Sequence, residues 1–314
     1  MTDDRDRAAE APEFTIFTAT YDRAGTLERL FDSIARQTYR GFEWLVVDDG
    51  STDATPALLA GLAARAAFPV RYFRQPNGGK HVAFDRGVRE ARGALFLTID
   101  SDDELLPDAL ATLAATWHAI PARERAHFTG VTGRCVDQHG SLVGAPVARS
   151  PVDSDSAEAT FILGWTGERV GFHRTEVLRA HPFPRGVESR FIPEGRVWLD
   201  IARRYKTRFI ETPVRVFHDH DAPRLSALDR VQRAPGDLEY YRFALNHYAH
   251  WWWRAPGAIA KLAVGLRRAE RHLDTTVPRD SLPLAARLLL LAAGPLAAMA
   301  RARDLRVRRR NAGC

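Results

Sequence analysis

The chain has 314 residues, of which 45% are hydrophobic and 27% charged, a composition that excludes a fibrous or largely disordered protein. Its net charge of +6 and pI near 9.7 favour acidic partners such as nucleotides, phosphates or anionic lipids, and no nucleic-acid-binding motif accompanies the charge. The two cysteines, Cys135 and Cys314, indicate no disulfide framework and predict a cytoplasmic protein. Residues 1–12 are polar, unlike a secretory signal, and are predicted to be a disordered leader.

The first half of the chain alternates strand-like and helix-like segments. Apolar and β-rich runs predict strands over 14–20, 42–47, 70–73 and 94–99. Apolar residues at helical spacing predict helices over 25–37, 80–92 and 107–118, and a further helix capped by Thr52 or Asp53. This alternation predicts an α/β fold with parallel strands joined by right-handed crossovers.

The second half of the chain has a more mixed pattern. It predicts a strand over 128–136, one or two strands over 208–217 broken at Pro213, and helices over 174–180 and 194–206. Residues 137–160 are rich in glycine, proline, serine and aspartate and are predicted to be a loop. From residue 225 onward the pattern is helical, including 238–253 and 259–273.

An apolar run ends in three carboxylates, those of Asp100, Asp102 and Asp103. Carboxylates this close repel one another, so the segment predicts a bound divalent cation and, through it, the phosphates of a substrate. The alternative is that Asp102 or Asp103 caps the helix that follows Pro107, although one aspartate would suffice for a cap.

Polar residues also follow the other predicted strands. The first strand ends in Thr20, Tyr21 and Asp22, the second in Asp48 and Asp49, and the third in the segment QPNGGK at 75–80. Ligands of parallel sheets bind beyond the carboxyl ends of the strands, so these residues predict one site. Lys80, which follows two glycines at a helix start, is either an anion-binding group or a solvated surface lysine.

These segments resemble the family 2 glycosyltransferases. The matching segments are TATYDR at 18–23, QTY at 37–39, FEWLVVDDGSTD at 42–53, NGGKHVA at 77–83 and DSDD at 100–103, and FIPEG at 191–195 with Trp198 is similar to the acceptor side. The resemblance implies a GT-A fold, a Rossmann-like, mostly parallel sheet flanked by helices. It implies a catalytic domain over 13–224, with a nucleotide-sugar-binding half (13–110) and an acceptor-side half (111–224), and a helical extension with a basic tail over 225–314.

The resemblance also implies a reaction, in which one sugar is transferred from a nucleotide sugar with inversion at the anomeric carbon. A UDP-sugar is the implied donor, and Mn²⁺ or Mg²⁺ is the implied cofactor. The implied donor-binding residues are Ala19, Thr20, Tyr21, Asp22, Asp49, Lys80, Asp100, Ser101 and Asp102. The implied metal ligands are Asp102, Asp103 and His218, with His220 as the alternative histidine. Asp49 matches the position that contacts the nucleobase, or else forms the turn before Gly50. Asp22 stands where the family usually has asparagine.

Inversion in one displacement requires a general base. Glu194 lies about ninety residues after Asp103 and matches the family's position for this base; Glu168 and Asp200 are rivals, and a helix N-terminal glutamate is the alternative role. The implied acceptor-side residues are Trp165, Glu168 and Trp198. The run at 251–253 (WWW) is either an acceptor platform or a packing or bilayer-interface element. The QxxRW signature of processive relatives is absent, which predicts transfer of a single sugar.

The segment 284–300 is strongly apolar but is interrupted by Arg287 and by the Gly294-Pro295 pair. It is too short and too interrupted to predict a membrane-spanning helix. Because six arginines follow at 301–310, it predicts either an interfacial helix on anionic lipid, at the cytoplasmic face, or a helix packed on the protein with a solvated basic end. The first alternative suits a cell-envelope or lipid-linked acceptor.

Two other functions fit parts of these patterns. A nucleotidyltransferase that makes sugar nucleotides shares the sheet type, but it requires a GGxGTR loop after the first strand, where this chain has TATYDRAG. A non-catalytic protein that binds sugar nucleotides would tolerate the loss of Glu194.

Overall fold

The structure, a computed structural model, describes residues 11–147, 149–219 and 228–312, with side chains through residue 306. Most of the predicted leader, His220, Cys314 and the side chains of the last three tail arginines lie outside this description. The described residues form two compact units: unit 1 comprises 11–155, 165–182 and 203–219, and unit 2 comprises 156–164, 183–202 and 228–312. Two segments of the predicted catalytic domain, 156–164 and 183–202, therefore belong to the same unit as the C-terminal helices. The functional boundary at 224/225 stays a prediction.

The described part of unit 1 contains one nine-stranded sheet. Its strands are β1 (Phe14–Thr20), β2 (Phe42–Asp48), β3 (Val70–Arg74), β4 (Leu95–Thr98), β5 (Glu104–Leu105), β6 (Phe128–Asp137), β7 (Val152–Ser154), β8 (Arg169–Arg174) and β9 (Lys206–Phe217). They lie in the order β3-β2-β1-β4-β8-β6-β9-β5, and β7 pairs with β9. The first four strands of this order are parallel, and β8 joins them antiparallel to β4. The predicted α/β class and the parallel first half are confirmed.

Helices are numbered in chain order across both units. Unit 1 contains α1 (Leu27–Ala35), α2 (Thr55–Arg65), α3 (Lys80–Glu90), α4 (Ala109–His118) and α6 (Thr175–Ala180). Unit 2 contains α5 (Ser156–Phe161), α7 (Gly195–Ile201), α8 (Arg230–Tyr248), α9 (Pro256–His272), α10 (Leu284–Ala292) and α11 (Gly294–Ala312).

The core of unit 1 explains why its sheet is stable. All seven residues of β2 are buried, as expected for a central parallel strand that is covered on both faces. Helix α1 places Leu27, Leu30, Phe31 and Ile34 on one buried face. Each such side chain contributes about 1.5–3 kcal/mol when it is fully removed from water.

Several predictions for the second half are wrong in detail. The predicted loop at 137–160 contains β7 and the first residues of α5, and strand β8 was not predicted because it buries just two apolar side chains, Val170 and Phe172. Strand β9 runs through Pro213 without a break, since the pairing with β6 shifts register there and requires no regular bond from the proline nitrogen. The helix predicted over 194–206 ends at Ile201 because β9 begins at Lys206.

Unit 2 is helical around its own apolar core. Phe161 of α5, Leu199 of α7, Leu245 of α8 and Leu266 of α9 are all buried in this core. Among the described helices, none alone is long and apolar enough to cross a bilayer. Helix α10 and residues 294–306 of α11 meet that length and composition only as a pair, with a 58° bend between them.

Candidate functional site

An acidic cluster follows β4 at the carboxyl edge of the parallel strands. Asp100, Asp102 and Asp103 each have a carboxylate oxygen within 4.8 Å of the others. The turn that brings them together is closed by the backbone nitrogen of Asp103, which donates to the carbonyl of Asp100 at 3.2 Å. The capping alternative for Asp102 or Asp103 is wrong, since α4 begins at Ala109 and its N-cap residue is Asp108.

Two cations partly neutralise the cluster. The ammonium of Lys80 lies 2.5 Å from Oδ1 of Asp100, so Lys80 belongs to the cluster and is not a solvated surface lysine. The guanidinium of Arg215 lies 3.1 Å from Oδ2 of Asp103. A third cation, Arg29, donates a hydrogen bond to the backbone carbonyl of Asp102. Each of the two outer aspartates, Asp100 and Asp103, thus has a cation beside its carboxylate.

The two flanking aspartates differ in acidity. Asp103 is 2% exposed, and burial, reinforced by the charges of Asp100 and Asp102, raises its pKa to about 7 despite Arg215. Burial also acts on Asp100, but Lys80 and Arg215 outweigh it and hold the pKa of Asp100 below its ordinary value. Near neutral pH, Asp103 is therefore partly protonated.

His218 lies beside the cluster, as predicted. Its backbone nitrogen donates to Oδ1 of Asp103 at 3.1 Å, and its ring Nε2 lies 2.7 Å from Glu104. Glu104 also lies near the guanidinium groups of Arg29 and Arg36. The side chains whose ligand atoms lie within 4.8 Å of one another are Asp100, Asp102 and Asp103, and the predicted role of His218 as a metal ligand stays a prediction.

Arg215 is the main residue of this cluster that sequence reasoning missed. It lies on β9, is nearly fully buried, and contacts Asp103, the carboxylate of Glu168 at 2.9 Å and the sulfur of Cys135 at 3.2 Å. Burial raises the pKa of the Cys135 thiol to about 11, so this cysteine stays neutral. The available signal was an arginine between Val214 and Val216, three residues before His218.

Asp22 joins the ends of β1 and β2. Its Oδ1 accepts the backbone N–H groups of Thr52 at 2.7 Å and Asp53 at 3.2 Å, and its own N–H donates to the hydroxyl of Ser51. The Thr52 bond is the main reason that the pKa of Asp22 lies below its ordinary value. Asp22 has φ of +49°, a conformation that aspartate and asparagine tolerate better than most residues.

The residues next to Asp22 present polar groups at the same edge. Tyr21 is 46% exposed, whereas Thr20 is buried, and its hydroxyl has no hydrogen-bond partner within the described part of the chain. Ala19 is half-buried, and Ser101 is buried in the turn after β4. The backbone N–H of Asp49 donates to the carbonyl of Thr20 at 2.8 Å, which aligns the β1 and β2 ends.

Asp49 orders the loop after β3. Its Oδ1 accepts from the Gln75 amide at 2.8 Å and the Gly78 N–H at 3.0 Å, and its Oδ2 accepts from the Gly79 N–H at 2.7 Å. The turn-forming role belongs instead to Asp48, whose Oδ1 accepts the Ser51 N–H. Beside Asp49 is an open cleft of about 480 Å³ lined by Gly50, Arg74, Gln75, Pro76 and Asn77.

The backbone of this loop requires a glycine at position 50. Its φ of +87° favours glycine, and a Cβ there would lie 2.9 Å from the backbone nitrogen of Asn77. The two segments that line the cleft therefore approach each other at Gly50.

The predicted acceptor-side residues are divided between the units. In unit 1, Trp165 packs edge-on against Phe209 and under Arg169, and Glu168 is exposed except for its pairing with Arg215. In unit 2, Glu194 is half-buried at the N-cap position of α7 and Trp198 is half-buried on that helix. Their catalytic and acceptor roles stay predictions.

The three consecutive tryptophans differ in environment. Trp251 packs against Phe161 and Tyr248 within unit 2, whereas Trp252 and Trp253 are exposed. The packing role is confirmed for Trp251.

Comparison with known proteins shows similarity to glycosyltransferases in the N-terminal part of the chain. The family model described as Glycosyl transferase family 2 matches residues 15–123. The chain is 25% identical over 215 residues to the GalNAc(5)-diNAcBac-PP-undecaprenol beta-1,3-glucosyltransferase of Campylobacter jejuni, covering 66% of this chain and 64% of that protein. It is 39% identical over 106 residues to a PGL/p-HBAD biosynthesis glycosyltransferase of Mycobacterium bovis, covering 33% of this chain and 41% of that protein. The chain thus spans less than two thirds of either relative.

Solved structures share the fold over most of the chain. TarS 1–349 of S. aureus in complex with UDP-GlcNAc has a TM-score of 0.59 at 17% identity, over 93% of this chain and 88% of that one. The mannosyltransferase PcManGT of Pyrobaculum calidifontis, in complex with GDP-Man and Mn²⁺, has a TM-score of 0.55 at 22% identity, over 92% and 81%. At these identities the likeness establishes a shared fold.

Proposed function

From the match of residues 15–123 to glycosyl transferase family 2, we propose that the chain moves one sugar, with inversion, from a UDP-sugar to a saccharide or lipid-linked acceptor. The observation that carries the proposal is the acidic cluster at the carboxyl edge of the parallel strands, with Lys80 beside it. The carboxylates of this cluster suit a divalent cation, and the ammonium of Lys80 suits the phosphates of the donor.

The cluster fits a hard divalent cation. Its donors are carboxylate oxygens, the ligands that Mg²⁺ and Mn²⁺ accept, and three of them lie within 4.8 Å of one another. Asp102 and Asp103 would hold the ion, with His218 as a further ligand. When bound, the ion neutralises charge on the departing nucleoside diphosphate. Asp103 would give up its proton as the cation binds, because its pKa is raised to about 7.

Residues just after the parallel strands would make the remaining contacts with the nucleotide sugar. Lys80 and the first turn of α3 would face the diphosphate, and Asp100 and Ser101 the ribose or sugar hydroxyls. Ala19 to Asp22 and Asp49 would border the nucleobase, next to the open cleft. Since Asp49 already accepts three hydrogen bonds, its contact with the base would use the remaining acceptor site on Oδ2.

Glu194 is the proposed general base. It would take the proton of the acceptor hydroxyl while that oxygen bonds to the anomeric carbon and the bond to the leaving phosphate breaks on the opposite face. The rival Glu168 is paired with Arg215, which competes for the lone pairs that a base requires. This leaves Trp165, Glu168 and Trp198 as candidates for holding the acceptor.

The acceptor class is inferred from relatives. The Campylobacter jejuni relative is named for a PP-undecaprenol-linked substrate, and we extend to this chain a lipid-linked or cell-envelope glycan acceptor. The proposed place of reaction is the cytoplasm or the cytoplasmic face of the membrane, where nucleotide sugars are supplied.

The test is a donor screen by thermal shift, with UDP-, GDP- and dTDP-sugars, each with Mn²⁺ or with a chelator. We expect a UDP-sugar to raise the melting temperature only when Mn²⁺ is present, and nucleoside diphosphate to be released on turnover. Asp102→Ala should abolish both effects, whereas Asp280→Ala, at an exposed aspartate of unit 2, should leave both unchanged.

Three results would overturn the proposal. Wild-type donor binding and turnover in both Asp102→Ala and Asp103→Ala would show that the cluster is not the site. Consumption of added pyrophosphate, with formation of UTP and sugar 1-phosphate from the UDP-sugar, would indicate a nucleotidyltransferase. Donor binding without turnover on any acceptor would indicate a binding protein.

A further inference from the structure

Exposed apolar side chains are concentrated on the last two helices of unit 2. Helix α10 exposes three leucines and α11 exposes a leucine and a methionine, each between 59% and 75%. We define the α10–α11 surface as these residues and two exposed arginines that follow on α11: Leu284, Leu288, Leu291, Leu296, Met299, Arg303 and Arg306.

The opposite faces of both helices are held within unit 2. Ala286 and Leu290 of α10, the linking Ala293, and Ala297 of α11 are buried in the unit 2 core or against it. The exposed residues of α10 recur at spacings of four and three, so they share one side of the helix. The leucines therefore face solvent because the helices are fixed by their other side, and not because the segment is unpacked.

Charge on this surface has one sign. On α11, Arg303 and Arg306 lie seven and ten residues after Leu296, which places all three on the same side of the helix. Asp304, the one acidic residue of the sequence between 284 and 312, is paired instead with Arg268 and His272 of α9. The described outward charge of α11 is thus positive and directly continues an apolar stretch.

Aromatic residues extend the same pattern. The short 3-10 helix Ala249–Trp253 contacts α10, and its Trp252 and Trp253 are exposed. Tryptophan is enriched where one side of a ring is apolar and the other is wet, as at the headgroup level of a bilayer.

We propose that the α10–α11 surface docks on an anionic lipid bilayer. The leucines and Met299 would enter the boundary between headgroups and acyl chains, and Arg303 and Arg306 would contact lipid phosphates. A second copy of the chain fits less well, because this surface offers its arginines no acidic counterpart. The inference goes beyond the proposed transferase activity and does not depend on it.

The test is flotation of the full chain with vesicles of phosphatidylcholine, with or without phosphatidylglycerol. We expect binding to the anionic vesicles that weakens as salt is added. Leu288→Gln/Leu291→Gln should reduce binding at least tenfold. Arg303→Gln/Arg306→Gln should reduce it about thirty-fold on anionic vesicles, from roughly 1 kcal/mol per arginine, with little change on neutral ones.

The matched control is Leu142→Gln/Leu163→Gln, which replaces two exposed leucines outside this surface and should leave vesicle binding unchanged. All variants should keep the melting temperature and the metal-dependent donor shift of the wild type, so that loss of folding and failure of the transferase proposal are recognised separately. No binding to anionic vesicles, or equal binding by wild type and surface variants, would overturn the inference. So would a wild-type dimer that Leu288→Gln/Leu291→Gln dissociates.

Discussion

The carboxyl edge of the parallel strands in unit 1 and the α10–α11 surface of unit 2 are built in opposite ways. At the strand edge, charged groups are bound to partners from distant parts of the chain, as Asp103 is to Arg215 and Asp49 is to Gly78 and Gly79. On the α10–α11 surface, leucines and arginines project from two consecutive helices toward solvent.

This difference predicts different sensitivity to substitution. A site assembled from long-range contacts holds its groups in one geometry, so a single change should have a large effect. A surface that binds by summed area and charge should lose affinity in small, nearly additive steps. Substitutions of individual residues can challenge this contrast.

The largest expected effect comes from Glu194, which lies in unit 2. Glu194→Gln keeps the size of the side chain but removes the base, so kcat should fall by about 10³ to 10⁴ while donor affinity stays unchanged. Single-turnover kinetics and donor titration measure the two quantities. This result would break a simple division in which unit 1 alone is catalytic.

Two rival carboxylates serve as controls for Glu194. Glu168→Gln and Asp200→Asn should each retain kcat within about tenfold of wild type, a change smaller than loss of a base produces. If either one loses kcat as Glu194→Gln is expected to, and Glu194→Gln does not, the general base is misassigned.

Arg215 should be the most important residue of the strand edge for stability. Arg215→Met leaves Asp103 buried without its counter-charge, which should cost about 3–5 kcal/mol in the free energy of unfolding at pH 8. Added Mn²⁺ should recover part of this loss, because the ion supplies the missing charge. Urea unfolding with and without Mn²⁺ measures both effects.

A double variant makes the Arg215 prediction specific. Arg215→Met/Asp103→Asn removes both charges and should be more stable than Arg215→Met alone, whereas Arg123→Met, at an exposed ion pair, should change stability by less than about 1 kcal/mol. A double variant no more stable than the single one would contradict the role assigned to the pair.

The raised pKa of Asp103 predicts how Mn²⁺ binding depends on pH. Below about pH 7 a proton competes with the ion, so affinity should fall by up to about tenfold per pH unit, whereas above pH 7 it should level off. Calorimetric titration between pH 5.5 and 8.5 measures this. Asp103→Asn should flatten the dependence, and an unchanged slope in that variant would assign the proton to another group.

The raised pKa of Asp103 has the opposite effect on the stability of the metal-free protein, which should fall as the pH rises. Because the folded-state pKa of Asp103 is raised from 3.8 to about 7, the stability contributed by its protonated form is complete below about pH 4 and is lost as the pH rises to about 7. Mn²⁺ should therefore raise the melting temperature more at pH 8 than at pH 6.

Local sequence signals account for much of the strand edge. The apolar runs that form β1, β2, β3 and β4, and the polar residues directly after them, could be recognised within short windows, and all four strands were placed within two residues. The clustering of Asp100 to Asp103 with Lys80 followed from the general rule for parallel sheets.

Contacts between distant segments could not be predicted in this way. His218 and Asp103 are 115 residues apart, and no local pattern indicates that β9 returns to this edge. Strand β8 enters the sheet between β4 and β6 through the burial of just two apolar side chains, a pattern too short to separate from a loop. Arg215 was missed for both reasons, since its role depends on where β9 lies.

The smallest expected effect concerns Asp22, which stands where the family usually has asparagine. Substitutions there test whether the strand edge tolerates either residue. Asp22→Asn keeps an oxygen that can accept from Thr52 and Asp53 and tolerates φ of +49°, so the free energy of unfolding should stay close to that of the wild type. Asp22→Ala loses both hydrogen bonds, so the free energy of unfolding should fall measurably, and donor affinity should fall with it. Urea unfolding and donor titration compare the two variants. Equal losses in both would mean that the charge of Asp22, rather than its turn geometry, holds the ends of β1 and β2 together.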